Sequence, residues 1–483
     1  LINQNPLANP KILKTLLTLY ILGLVCYSFI EPPFGDSIYY WQWSQHLALG
    51  YYDGPPLIAY LLRISTKLFG HNFFALNIIA PVCLGFCGYF IYKIGELVLD
   101  SETGWIAVLL WLLHPIVTSR LALRVTYDLP LNLFWAMSIY FVARYIKYHK
   151  TSNLYWAGAA IGLMFLSKYA AVVLLMGLLL FFVIDKSIRS LYQTSHFYLA
   201  ALLGILLFTP AIIWNYQHHW ISVTYQLAVH SALNPNSLFN LTSANHYIGN
   251  FLGNYFIYIV IPLIALYPFK HQTLPILIKL LLCISVYFFI FWLIASLFIS
   301  VVISYLSPAI ISLSVVCAYY LKKQHYKKTL WVILSVFFIC SLFRIFDSYY
   351  QDSALDYKLA QQAITTNQTQ GPQPIFSYNY SSIDEIIFWA NTQAISPLPC
   401  VKEMNQYQLW NQDLQTALRE RKIKNALYVD FYPMPWAGPT APACLNEYFA
   451  KCTAVPSIKL QQNIPLSHKI LSRQIVLYQC TNP

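Results

Sequence analysis

Two acids and three cations draw the eye first, because the chain around them is too apolar to carry charge without cause. Asp36 and Asp128, with Arg120, Arg124 and Lys168, all border apolar runs of nearly membrane-spanning length. Placing such a group at membrane depth costs roughly 3 kcal/mol on insertion scales, so each is a functional candidate. A carboxylate can take the proton from an acceptor hydroxyl or amine, typically a contribution of ~10²–10⁴ in rate. Cations stabilise the charge that develops on a departing phosphate in a water-poor site. Together these residue types suit transfer of a group from a lipid-linked phosphate. Taken singly, each has a plainer role. Asp36 and Asp128 can cap helices, Lys168 can snorkel to the interface, and the arginines can anchor lipid phosphates. His218-His219 reads as an interfacial polar turn, since adjacent histidines without cysteine or carboxylate company make a poor zinc site. The plainer roles do not explain why all five charges gather at one membrane face.

The elements that must position them are helices in lipid. Of 483 residues 58% are hydrophobic and 10% charged, against about a quarter charged in an ordinary soluble domain. Lipid must therefore cover part of the surface, and the 17% aromatic content fits interfacial belts. The net charge of +12 is not gathered into a stripe, which argues against a nucleic-acid partner. Eleven apolar runs predict spans over about 12–30, 74–94, 104–119, 129–146, 153–167, 170–185, 197–214, 247–267, 275–302, 305–321 and 329–346. Fourteen Lys and Arg, from Lys11 to Lys328, fall at alternate span ends. The opposite ends carry six, Arg63, Lys67, Arg120, Arg124, Lys168 and Arg344. The positive-inside rule then puts the N-terminus in the cytoplasm and everything after about 347 outside it.

Two domains are expected on this basis: 1–347 in the membrane, and 348–483 as a soluble extracytoplasmic α/β domain. Within the first, residues from Asp36 to Leu49 suit an interfacial amphipathic helix with Ile38, Trp41 and Leu49 towards lipid. Within the second, strands are predicted at 375–378 and 426–429, and helices at 383–391 and 413–423. Cys400, Cys444, Cys452 and Cys480 also lie there. An even count in an oxidising compartment favours two disulfides, in any of three pairings.

Several motifs bear a likeness to known proteins. Asp36-Ser-Ile-Tyr-Tyr-Trp-Gln-Trp and Leu47-Ala-Leu-Gly-Tyr-Tyr52-Asp53-Gly-Pro-Pro resemble the first outward loop of bacterial glycosyltransferase family 39. That family is related to protein O-mannosyltransferases and the lipid A aminoarabinose transferase. Tyr127-Asp128-Leu-Pro resembles its second acidic motif, and Ser167-Lys168-Tyr169 its Ser-Lys-Tyr break. His219-Trp220-Ile-Ser-Val-Thr-Tyr225-Gln226 resembles a further loop motif, and Asn405-Gln-Tyr407-Gln-Leu-Trp410 a segment late in the chain. The chain departs from the family at Ser37, where many relatives have Glu, and at Gly54, where many have His. A late motif with a basic or aromatic pair before Pro-Ala-Pro is reduced to Ser304-Tyr-Leu-Ser-Pro308-Ala.

The resemblance implies a GT-C architecture of about eleven spans in the bacterial inner membrane, with a periplasmic C-terminal domain. It implies inverting transfer of a sugar from a polyprenyl-phosphate carrier to a lipid A, glycan or protein acceptor, with no nucleotide at the site; no cofactor or metal ligand is assigned from the residues. By position, Asp36 would be the catalytic base, and Asp128 the second catalytic acid of the site, which would orient the acceptor or the base. Asp53, Arg124, Lys168, Tyr169, Tyr52 and His219 would bind substrate. From the residues alone, a transporter or flippase of lipid-linked sugars or anions stays open, since such proteins also hold charge on broken helices.

Overall fold

The computed structural model describes residues 10–31, 33, 35–228, 241–266, 273–323, 332–333, 335–336, 338–339, 353–369, 371, 373–377, 384, 386–388, 395–398, 405–432, 444–456, 459–464 and 469–483. Two compact units emerge, each assembled from separate stretches of chain. The first comprises Leu1–Ile30 and Leu47–Ile345, and the second Glu31–His46 and Phe346–Pro483.

The helices to residue 323 are α1 (Pro10–Tyr27), α2 (Gly35–Gln45), α3 (Leu57–Phe69), α4 (Phe73–Asn77), α5 (Ile79–Val98), α6 (Ser101–Leu112), α7 (Asp128–Tyr148), α8 (Ser152–Ser167), α9 (Ala171–Ile184), α10 (Ser195–Gln217), α11 (Ile221–Ala228), α12 (Leu241–Leu266), α13 (Ile276–Ser296) and α14 (Ser307–Lys323). All except α2 belong to the first unit. Ten of the eleven expected spans are thus helical, and the eleventh, 329–346, lies largely outside the described residues. Among the described residues, five helices are long and apolar enough to cross a membrane: Phe73–Val98, Asp128–Tyr148, Ser195–Gln217, Ile276–Ser296 and Ile303–Lys323. A sixth is added if α9 is counted with the turn Lys186–Gln193, which bends away from it by 109°. The chain is a helical, multi-pass membrane protein.

One apolar run makes a shorter helix than its length predicts, for a local cause. The run 104–119 contains Pro115, which lacks the N–H a continuing helix needs. Accordingly α6 stops at Leu112 and the chain passes through a π-helical turn at Val117–Leu121. The break expected between 153–167 and 170–185 falls at Lys168, whose backbone is extended (φ −159°, ψ 140°). Helix α9 then ends at Asp185, whose carboxylate accepts from the Ser187 N–H at 3.0 Å and starts the bent turn. Close approach of α8 and α10 depends on small residues: a Cβ on Gly158 would stand 2.1 Å from the Ala200 carbonyl oxygen, and one on Gly162 2.6 Å from that of Gly204. Gly158-x-x-x-Gly162 is the spacing that lets helices in lipid meet backbone to backbone.

In the second unit, α2 does not present Ile38 and Trp41 to lipid; both are buried in protein. The Tyr39 hydroxyl accepts from the Gln406 backbone N–H at 3.0 Å, and the Trp41 ring meets Phe388 edge-on at 5.3 Å. The reason is the mate it finds. The Asn405–Trp410 motif packs Tyr407 against Tyr39 with ring centres 5.6 Å apart and Trp410 against His46 at 4.8 Å, so an apolar face aimed at lipid by pattern is covered by ring contacts. A capping box between Asn405 and Gln408 starts that helix (Gln406–Trp410).

Behind it lies a mixed sheet in the order β2-β1-β3-β6-β4, with β5 also on β6. The strands are β1 (Ile375–Ser377), β2 (Ile395–Pro397), β3 (Asn425–Tyr432), β4 (Lys451–Ala454), β5 (Lys459–Ile464) and β6 (Lys469–Thr481). The first three run parallel, and β6 returns antiparallel to β3 from Asn425↔Thr481 to Tyr432↔Gln474. Both predicted strands are present. The helix predicted at 413–423 runs Gln412–Arg419 and stops before Arg421, which is left-handed (φ 54°). The other, 383–391, falls largely outside the described residues. Phe376, Leu418, Tyr428, Phe449 and Val476 fill the core. Cys452 is disulfide-bonded to Cys480 across β4 and β6. Cys444 is also disulfide-bonded, and Cys400 lies outside the described residues.

Candidate active site

Lys168 owes its place to the break between α8 and α9, and Asp128 to the first turn of α7. An acid in a first helical turn is favoured by the unpaired N–H groups there, and a lysine just past a helix end is favoured by that end's carbonyls. Both side chains turn inward, and they meet: Lys168 Nζ donates to Asp128 Oδ1 at 2.8 Å. Each residue is only 6% exposed. The ammonium also lies 4.1 Å from the centre of the Tyr305 ring and 4.4 Å from that of Tyr127. An ammonium between two aromatic faces keeps favourable electrostatics after losing water.

The floor of this site is polar and built from residues that spacing alone did not single out. Asn132, one turn into α7, donates to the Asp128 carbonyl at 2.8 Å and to Ser307 Oγ at 2.9 Å. The Leu306 carbonyl accepts from the buried Tyr255 hydroxyl. Thus the reduced motif Ser304–Ala309 supplies an aromatic wall through Tyr305 and a hydroxyl through Ser307. Arg124 is half-buried in the linker four residues before Asp128.

Next along the break, Tyr169 is held on two sides. Its hydroxyl accepts from Asn215 Nδ2 at 2.8 Å and bonds Ser222 Oγ at 3.1 Å. These partners lie on α10 and α11, joined by a tight turn at His219 and Trp220, both with positive φ (53° and 60°). His219 is exposed on that turn, and the contacts to Tyr169 come from the residues on either side of it. The loop Tyr51–Pro56 is tied to the second of these helices, α11. Tyr51 and Gly54 exchange backbone hydrogen bonds at 3.0 and 3.2 Å, closing a tight turn. Tyr52 packs on Tyr225 with ring centres 4.6 Å apart. Gln226 donates to the Asp53 carbonyl. Burial, with the Asp53 carboxylate beside it, pushes the Tyr52 phenol up to about 12, so it is a neutral donor at any physiological pH.

Within the first unit, then, Asp128 and Lys168 pair directly, Tyr169 is held by α10 and α11, and Tyr52 and Asp53 are held by α11. Asp36 is half-buried in the first turn of α2, in the second unit. Below Tyr169, an apolar cavity of about 440 Å³ runs between α8, α9 and α10. It is lined from Leu191 and Phe197 at one end to Phe165 and Phe208 at the other, with the Phe208 ring 6.4 Å from that of Tyr169. Among the described residues no cluster of three metal-ligating side chains occurs.

Fold and site together define a class: a helical membrane protein with a polar, charge-paired site at one end of the bundle and a separate mixed-sheet unit. The same fold occurs in ArnT from Cupriavidus metallidurans. Its apo structure superposes with a TM-score of 0.67 at 12% identity, covering 96% of this chain and 97% of that one. Its structure bound to undecaprenyl phosphate gives 0.68 at 11%, with the same coverage. The oligosaccharyltransferase of Archaeoglobus fulgidus is also similar, with a TM-score of 0.54 at 13% identity over 86% of this chain and 69% of that one.

Within the chain, residues 53–214 match the family model of the dolichyl-phosphate-mannose-protein mannosyltransferases. Asp53, Arg124, Asp128, Lys168 and Tyr169 fall inside the matched segment, whereas Asp36, Tyr52 and His219 fall outside it. The lipid A galacturonosyltransferase RgtD of Rhizobium johnstonii is 26% identical over 187 residues. That alignment spans 38% of this chain and 39% of the relative.

Proposed function

We propose that this protein is an inverting glycosyltransferase that moves a sugar from a polyprenyl-phosphate carrier to an extracytoplasmic acceptor, with lipid A as the first acceptor to try. The observation that carries the reading is the buried Asp128–Lys168 pair at 2.8 Å, walled by Tyr127 and Tyr305. In this reading Lys168, with Arg124, holds the donor phosphate, and Asp128 keeps the ammonium aimed. Asp36 takes the proton from the acceptor hydroxyl as its oxygen attacks the anomeric carbon. The bond from that carbon to the phosphate oxygen breaks on the opposite side, and the polyprenyl phosphate leaves with both electrons. Negative charge grows on the phosphate as this happens, and a desolvated cation stabilises it most at that moment. The apolar cavity beside Tyr169 takes part of the carrier's tail, and Tyr52, Asp53 and His219 border the sugar.

The same reading assigns the chain eleven crossings of a bacterial inner membrane, the N-terminus inside and 348–483 in the periplasm. Support comes from the alternation of Lys and Arg along the chain, from the family match that includes Lys168 and Asp128, and from the fold shared with an undecaprenyl-phosphate-bound protein. Transfer from a labelled polyprenyl-phosphate sugar to lipid A in proteoliposomes tests it. Asp36→Asn is expected to lower the rate by at least ~10², and the product should have the anomeric configuration opposite to the donor's. Unchanged transfer by Asp36→Asn would remove Asp36 as base. Movement of the intact carrier across the bilayer without transfer would favour a flippase, a reading that the helix break at Lys168 also accommodates.

A further inference from the structure

At the other end of α7 the first unit has a second polar recess, of about 430 Å³, formed with the end of α5. Asp128 and Arg144 are sixteen residues apart on one helix, a rise of roughly 24 Å. The recess therefore has no part in the site at Lys168, and its charge pattern places it on the cytoplasmic face. Lys93, Arg144 and Lys150 line it against a single carboxylate, Glu96. Lys93 is taken by that acid at 2.7 Å. Among the described residues Arg144 and Lys150 enter no ion pair, so two positive charges face the recess without an acid. The Arg144 guanidinium lies 5.6 Å from the centre of the Tyr140 ring and donates to its hydroxyl at 3.4 Å. The Lys147 ammonium clamps the two helix ends together through the Leu97 carbonyl at 2.6 Å.

Topology alone explains basic residues at a cytoplasmic helix end; it does not explain a recess in which a guanidinium is held against a tyrosine ring. A lipid-facing surface leads into it. Tyr89, a lining residue, continues along α5 as an exposed apolar stripe, Phe86 and then Val82, at 50%, 59% and 47% exposure and helical spacing. Charge at the membrane boundary and an apolar track running from it into the lipid match one kind of occupant. We infer that this recess binds the headgroup of an anionic phospholipid, with the phosphate on Arg144 and Lys150 and an acyl chain along Tyr89, Phe86 and Val82. Basic pockets between helices at the cytoplasmic surface recognise such headgroups.

The test is native mass spectrometry of the purified full-length protein in detergent, offered equal phosphatidylglycerol and phosphatidylcholine of matched acyl chains. Retained phosphatidylglycerol should exceed phosphatidylcholine by about fivefold or more, as each basic residue near the surface favours anionic lipid. The preference should vanish in Arg144→Gln/Lys150→Gln and survive in Arg144→Lys and in Lys186→Gln/Arg189→Gln, which removes charge elsewhere. Equal retention of both lipids by the wild type overturns the inference without any variant. So does an equal loss in the Lys186/Arg189 control, or displacement of the bound lipid by millimolar inorganic phosphate, which would mean that a soluble anion suffices.

Discussion

Asp128 and Lys168 are forty residues apart in sequence and share one hydrogen bond in a nearly dry setting. Each holds the other's charge, so their mutational effects must be coupled. Breaking such a pair leaves one charge buried and uncompensated, at a cost of about 3–5 kcal/mol, whereas replacing both by apolar groups of similar size is often close to neutral. Asp128→Asn and Lys168→Met are each expected to lower thermal stability in detergent, and the double variant to recover most of the loss. Transfer activity should stay lost in all three. A double-mutant cycle on the melting temperature and on the transfer rate checks both halves. Additive stability losses would show that the pair is not coupled in the folded protein. At this scale sequence reasoning found both ends of the pair by their charge, but not Tyr305, Ser307 or Asn132. A tyrosine or serine in an apolar run has no energetic signature until it is known what lies across from it.

Among the elements, the contact of α8 with α10 decides where the Lys168 break points. Three glycines make that contact, and a methyl group at Gly158 would collide with the Ala200 backbone, which cannot rotate away. Gly158→Ala should push the helices apart and destabilise by about 1–3 kcal/mol, the usual range for overpacking. Because α10 also carries Asn215, the partner of Tyr169, transfer activity should fall together with the melting temperature. Ala159→Gly, at the neighbouring position, serves as the comparison for a simple change in helix propensity. A wild-type melting curve for Gly158→Ala would mean that the two helices have slack. Helix ends at this scale were only partly legible. Pro115 and Lys168 mark breaks openly, but the 109° bend after α9 depends on an Asp-Lys-Ser turn that an apolar count does not see.

Taken whole, the molecule joins the ends of its sequence: α2 belongs to the same compact unit as the C-terminal sheet. Ile38, Trp41 and Trp43 are buried there, and the Asn405–Trp410 motif supplies partners to Tyr39 and His46. A chain ending at residue 347 should therefore leave 31–46 without its cover, and limited proteolysis should cut it there while the full-length protein resists. Equal resistance in the two forms would mean that α2 is held by something other than the C-terminal unit. By itself the sequence determined that the protein lives in lipid, and which few charges stand against the cost of burial. Those follow from composition and from transfer free energies, which act residue by residue. Tertiary structure alone decided that Lys168 meets Asp128, that the Ser304–Ala309 segment walls the pair, and that α2 turns its aromatic face to protein rather than lipid. These are matters of which surfaces find each other across long stretches of chain, and an apolar residue is equally satisfied by either neighbour until the packing is complete.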